Sequence, residues 1–192
     1  FGGEAFNPTT MIYIFLANGF EDVEALIPLD IWRRGGKDVT TVSINETKEV
    51  VSAHGVTIMA DSLYEDNDYD NAELLFLPGG LPGADNLDSH EPLKEQLMKQ
   101  AKSGGRIAAI CAAPYILGKL GLLSGKNATC YPGFEGILDG ATYTGELYVT
   151  DGNITTGEGP AAAFPFAYEL LSLMNDEQTS AQIAEGMRFK HL

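Results

Sequence analysis

The stretch Gly105-Arg106-Ile107-Ala108-Ala109-Ile110-Cys111-Ala112-Ala113-Pro114-Tyr115-Ile116-Leu117-Gly118-Lys119-Leu120 decides how this chain folds. Gly105 to Ile110 is a short apolar run of strand length, and Ala112 to Leu120 reads as a helix. Cys111 stands at the junction. Ala109 and Ala113, two residues to either side, are small enough for a sharp strand-nucleophile-helix turn. A thiol at such an elbow faces the first turn of a helix, where free N–H groups and the positive dipole end favour thiolate. An inert core thiol is the competing reading, because cysteine is among the most often buried residues.

Working outward, Met11 to Ala17 is a continuous apolar run, as expected of a central parallel strand covered on both faces. Phe20 to Arg34 follows as a helix closed by Gly35-Gly36, and Val39 to Ile44 is a second strand. Glu49 to Ser52 and Val56 to Ala60 read as short strands about the His54-Gly55 turn. The acidic stretch Tyr64 to Asp70 is expected to be a solvated connection. Glu73 to Leu77 is a strand ending in Pro78-Gly79-Gly80, and Pro92 to Ser103 is a helix. After the elbow, Ala128 to Cys130 reads as a strand. Glu146 to Val149 and Asn153 to Thr156 pair across Asp151-Gly152, a strong hairpin signal. Helices over about Pro160 to Met174 and Asp176 to Gly186 close the chain. Strands alternating with helices imply an α/β fold, a three-layer α/β/α sandwich around a mostly parallel sheet. Ligands of such sheets bind beyond the carboxyl ends of the strands. Those ends are Ala17-Asn18-Gly19, Leu77-Pro78-Gly79-Gly80 and Ile110-Cys111, so Asn18 is a candidate substrate contact.

The length of 192 residues fits one domain with an adequate core, expected over 11–192. Residues 1–10 lack the basic start and apolar core of a signal peptide and are expected to be a leader or added remnant outside the domain. Only two cysteines are present, Cys111 and Cys130, which speaks for a reducing, cytoplasmic setting. A net charge of -15 argues against nucleic acid and anionic membranes as partners and slows the approach of anionic substrates. No apolar stretch reaches membrane-spanning length. Neither metal-ligand spacing nor a phosphate-binding glycine loop is present, so no metal or cofactor is expected.

Glu24 lies one turn into the first helix, four residues before Pro28, which cannot donate to the carbonyl of residue 24. Taken together, Gly19-Phe20-Glu21-Asp22-Val23-Glu24-Ala25-Leu26-Ile27-Pro28-Leu29-Asp30, Leu77-Pro78-Gly79-Gly80 and Ala108-Ala109-Ile110-Cys111-Ala112-Ala113-Pro114 resemble the ThiJ/PfpI superfamily. Within it they are most similar to the branch of the Parkinson-disease-associated protein often described as a deglycase. Gly157-Glu158-Gly159-Pro160-Ala161 resembles that branch's Gly-Pro helix start and makes Pro160 a candidate substrate contact. The resemblance extends over nearly everything from Met11 onward and implies a flavodoxin-like sheet. It also implies that Cys111 is the nucleophilic, oxidisable cysteine and Glu24 the buried acid hydrogen-bonded to its sulfur. A carboxyl group kept from water tends to stay protonated and can then donate to a thiolate or a sulfinate. The N–H groups of Gly79, Gly80 and Ala112 are the expected oxyanion donors.

Many relatives carry a histidine on the strand after the elbow helix, directly before a proline. Here that place holds Tyr131, in Cys130-Tyr131-Pro132, and His54, His90 and His191 all lie elsewhere. Tyrosine is a poor base near neutral pH, so neither a Cys-His dyad nor peptidase activity is expected. Tyr131 is instead a candidate substrate contact. Cys130, its neighbour, should point away from the site as a structural cysteine, with a resolving thiol as the alternative. The resemblance implies a glyoxalase-like or deglycase-like activity on a small reactive carbonyl. A redox sensor or chaperone-like dimer, in which Cys111 is oxidised to sulfinate without turnover, is the alternative, and whether the protein is an enzyme stays open. Relatives of this kind are usually homodimers, and the same is expected here.

Overall fold

The computed structural model describes residues 9–190. In chain order they form strand β1 (Met11–Leu16), helix α1 (Asp22–Arg34), β2 (Asp38–Ser43), β3 (Glu49–Val51), β4 (Thr57–Met59), β5 (Ser62–Leu63) and β6 (Leu74–Leu77). Next come α2 (Gly83–Asp88), α3 (Glu91–Ser103), β7 (Arg106–Ile110), α4 (Pro114–Lys119), β8 (Asn127–Ala128), β9 (Thr142–Tyr143) and β10 (Tyr148–Asp151). The chain then passes through β11 (Ile154–Gly157), α5 (Ala163–Met174) and α6 (Glu177–Gly186). One sheet runs in the order β10-β11-β7-β6-β1-β2-β5, with β10 antiparallel to β11 and every other pairing parallel. This is the expected flavodoxin-like sandwich.

Alternation along the strands divides the apolar residues between two cores. Ile12, Ile14, Leu16, Phe76, Ala108 and Ile110 face α1, α5 and α6. Tyr13, Phe15, Leu75, Leu77, Ile107 and Ala109 face α2, α3 and α4. The continuous apolar run of β1 follows directly, since a strand covered on both sides has no polar face. Trp32 of α1 is fully buried in the first core and donates its Nε1–H to the carbonyl of Ala167 in α5 at 3.0 Å.

Several elements depart from the sequence reading. The acidic segment 64–70 exposes its acids, but Tyr69 is only 4% exposed and its ring lies 4.8 Å from that of Tyr64. It is thus anchored by its tyrosines as well as solvated on its acids. Helix α2 was not expected; six residues hold too little periodicity to show, although Ala84 and Leu87 bury one face. The helix expected over 112–120 starts at Pro114, and the strand expected over 128–130 ends at Ala128, pairing with β9 rather than with the main sheet. Residues 1–8 of the expected leader lie outside the described residues, as does His191. Thr9 and Thr10 are tied to the domain, by Thr9 N–H to the Asn71 carbonyl at 2.7 Å and Thr10 Oγ1–H to Asp38 Oδ2 at 2.6 Å. Among the described residues no helix is long and apolar enough to cross a membrane.

Candidate active site

Strand β7 runs directly into Cys111, whose φ of 67° lies in the left-handed region that side-chain-bearing residues seldom occupy. Such a conformation costs on the order of 1–3 kcal/mol and persists only where its surroundings impose it. Here two main-chain bonds do so. The Cys111 N–H donates to the Gly157 carbonyl at the end of β11 (2.9 Å), and its carbonyl accepts from the Tyr131 N–H (2.8 Å). Ala109 and Ala113 are fully buried beside it, as the tight turn requires, and Cys111 itself is 9% exposed.

Glu24 is 0% exposed, an unusual state for a carboxyl group. It sits in the first turn of α1, which runs unbroken through the buried Pro28. Its Oε1 accepts from the Gly79 N–H at 3.0 Å, its carboxyl also engages the Cys111 thiol, and Oε2 has no partner at ordinary hydrogen-bond geometry among the described residues. An orphan buried carboxyl oxygen is the natural place for a proton. Gly79 is the wedge between the two groups. A methyl group there would lie 2.6 Å from Cys111 Cβ and from the Ile110 carbonyl oxygen, and 2.7 Å from Glu24 Oε1. The sequence reading gave the Gly79 N–H to an oxyanion, whereas the structure gives it to Glu24. The N–H groups of Gly80 and Ala112 face the sulfur.

Burial, reinforced by the charge of Glu21, raises the Glu24 carboxyl from 4.5 to about 7 against hydrogen bonds from Cys111 and Gly79. The thiol does not follow the expectation of acidification. Burial, then the charge and hydrogen bonding of Glu24, push it up to about 12, opposed by the N–H groups of Gly80 and Ala112. The reason is structural: α4 begins at Pro114, three residues later, and spans six residues, so no extended helix points its dipole at the sulfur. The two groups therefore titrate as a pair. The sulfur keeps its proton at neutral pH and gives it up only when Glu24, as a carboxylate, draws it off, a transfer that the Gly80 and Ala112 N–H groups ease. The proton that Glu24 gives up near pH 7 is one that burial of its carboxyl holds there.

Stability should report this proton. Because the folded value of Glu24 lies above the unfolded one, the contribution is complete below about pH 4.5 and is lost as pH rises through about 7. Wild type should lose on the order of 3 kcal/mol relative to Glu24→Gln across that window. Denaturant unfolding of both proteins at several pH values checks this, and parallel stability curves would contradict it.

The other candidate residues are placed less uniformly. Tyr131 is 48% exposed, and with Pro160 it lines a cavity of about 360 Å³ beside the elbow. Asn18 is engaged structurally, its Oδ1 accepting from Asn45 Nδ2–H and the Val51 N–H, each at 3.0 Å, which fixes the β3–β4 hairpin to the end of β1. Cys130 is fully buried in the core opposite to that of Cys111. Sequence spacing showed no metal cluster, but among the described residues Glu21, Asp22 and His54 bring ligand atoms within 4.8 Å of one another. Hydrogen bonds account for this grouping: Asp22 holds His54 Nδ1 at 2.8 Å and Ser52 Oγ at 2.7 Å, clamping the hairpin to the start of α1.

Residues 10–173 match the profile of the DJ-1/PfpI family. The chain belongs to that family. This DJ-1/PfpI domain is 37% identical over 178 residues to Protein DJ-1 homolog B of Arabidopsis thaliana, covering 92% of this chain but 41% of that protein. It thus spans about two fifths of that relative's length. It is 31% identical over 167 residues to the glutathione-independent glyoxalase DJR-1.2 of Caenorhabditis elegans, covering 84% of this chain and 87% of that one. Among solved structures, oxidised Toxoplasma gondii DJ-1 superimposes with a TM-score of 0.91 at 28% identity, over 95% of this chain and 100% of that one.

Proposed function

We propose that this DJ-1/PfpI domain is a stress-protective protein that acts on small reactive carbonyls, in a glyoxalase-like or deglycase-like reaction carried by Cys111 and Glu24. The observation that carries the reading is the wedge at Gly79, which holds a fully buried carboxyl against a cysteine at φ 67°. The name of the C. elegans relative supports it. With a 2-oxoaldehyde, Glu24 takes the thiol proton as the sulfur of Cys111 adds to the aldehyde carbon, and passes it to the resulting alkoxide, giving a hemithioacetal. While the charge is on oxygen, the Gly80 and Ala112 N–H groups stabilise it. Glu24, now a carboxylate, takes the proton from the former aldehyde carbon and returns it to the adjacent carbon, while the hydroxyl proton on the first carbon passes to the oxygen of the second. The first carbon is oxidised to a thioester as the second is reduced to an alcohol. Water then cleaves the thioester, releasing the 2-hydroxy acid and restoring the thiol. Purified protein incubated with methylglyoxal should therefore form lactate, and its absence would remove the reading.

The expected homodimer is proposed too. Val23 and Leu26 of α1 are 39% and 40% exposed, and Val51, Val56 and Met59 of the adjoining hairpin are 42%, 48% and 64% exposed. Clustered exposed apolar side chains mark association surfaces. Light scattering should give twice the chain mass, falling toward one chain in Met59→Glu.

A further inference from the structure

We infer that Glu158 is a charge filter at the mouth of this site, admitting uncharged carbonyl compounds and turning away those that bear a carboxylate. The inference rests on the proposed role of Cys111 as the attacking group and names which carbonyls reach it. The cavity of about 360 Å³ is walled by Tyr131, Pro132, Leu147, Glu158 and the Gly159–Ala162 turn. Both of its flanks hang from the cysteine itself. Gly157, just before Glu158, accepts the Cys111 N–H, and the Tyr131 N–H donates to the Cys111 carbonyl.

Glu158 is the one charged side chain among those lining residues. Among the described residues no Lys, Arg or His forms an ion pair with it. On the far side of the elbow, by contrast, Glu21 has His54 at 3.8 Å to answer its charge. Glu158 is half-buried beside apolar walls that carry no charge, so at low ionic strength its field bears on an anion entering the cavity. A small 2-oxo acid would have to bring its own carboxylate into that field with no cation to receive it. A neutral 2-oxoaldehyde of similar size would not. Glu158 touches neither the sulfur nor Glu24, so its effect is on entry and leaves the proton traffic alone.

The charge filter can be read without any turnover, by alkylating Cys111 with iodoacetamide and iodoacetate, two reagents alike in size and unlike in charge. The rate ratio, divided by the same ratio for 2-mercaptoethanol, is expected to favour the neutral reagent by about five-fold or more at low ionic strength. Peptide mass mapping confirms that Cys111 is the residue modified. Glu158→Gln should remove most of that preference and Glu158→Lys should reverse it. Glu177→Gln, an exposed acid at the opposite end of the sheet, should leave it unchanged. An equal fall in Glu177→Gln would assign the preference to net charge, and no fall in Glu158→Gln would overturn the inference outright. Turnover of methylglyoxal against glyoxylate in the same proteins separates the two ideas. A preference that moves with Glu158 while neither compound is converted keeps the charge filter and defeats the carbonyl chemistry. Conversion that is blind to residue 158 does the opposite.

Discussion

Cys111→Ala protein is expected to form lactate from methylglyoxal no faster than the uncatalysed background, a fall of at least about a thousand-fold from wild type. No other side chain at the elbow can replace the sulfur. Tyr131 is not a nucleophile near neutral pH, Cys130 is buried in the opposite core, and Glu24 without its partner can only trade protons. The same substitution should alter stability by no more than about 1 kcal/mol, because alanine keeps the Cβ that Gly79 packs against and removes one weakly bonded sulfur. A large loss of activity in an intact fold is therefore the signature. Lactate formation and thermal unfolding of both proteins provide the check, and residual activity in Cys111→Ala would place the chemistry elsewhere. If wild type makes no lactate but takes up two oxygens on Cys111 under mild peroxide, the redox-sensing alternative replaces the enzymatic one.

Gly79→Ala should be severely damaging, because the added methyl group would fall between the two groups of the site. Its Cβ would meet the Ile110 carbonyl oxygen and Cys111 Cβ at 2.6 Å, atoms of a strand end that two main-chain bonds already hold in place. Neither can yield as a flexible side-chain tip would. The third contact, Glu24 Oε1 at 2.7 Å, is the acceptor of the Gly79 N–H, so relief in that direction breaks a buried hydrogen bond. Overpacking of this kind, with a buried carboxyl oxygen left unbonded, is expected to cost about 3 kcal/mol or more. For a domain of this size that corresponds to a fall in melting temperature of roughly 6–12 °C. Activity should vanish with it, because the spacing of sulfur and carboxyl is set by the atom being displaced. Gly136→Ala provides the comparison, since a Cβ there meets nothing within 4 Å. Equal melting temperatures for the two variants would show that the wedge at residue 79 is loose.

The fold was legible because its signals are local. The apolar run of β1, the strand-to-helix change at residue 111 and the Asp151-Gly152 turn each announce themselves within a few residues, and the Gly152 φ of 63° fits the turn expected there. The site was legible only as a set of residues. That Glu24, Gly79, Gly80, Cys111 and Ala112 meet could be proposed from the resemblance of three separated motifs, but which donor serves which acceptor could not. The Gly79 N–H was assigned to an oxyanion and in fact holds Glu24, because the direction of one N–H depends on how β6 leaves the sheet. The thiol was expected to be acidified by a helix that begins three residues too late. Asn18 stood at the correct strand end, yet its carboxamide is engaged by a hairpin whose docking no local pattern reveals. Glu158 went unweighed for a related reason. In sequence it is one acid among 27 acidic residues, and only the walls around it and the lack of a paired cation among the described residues set it apart.

The left-handed turn at residue 111 is imposed from outside, by a carbonyl of β11 and the amide of Tyr131, and neither bond involves the sulfur. The perch thus belongs to the backbone, and whatever occupies it inherits the pose. Serine or selenocysteine grafted there would be held over Glu24 at the same angle, with the same two amides ahead of it. What distinguishes this position among the chain's residues is an address, and cysteine is its present tenant.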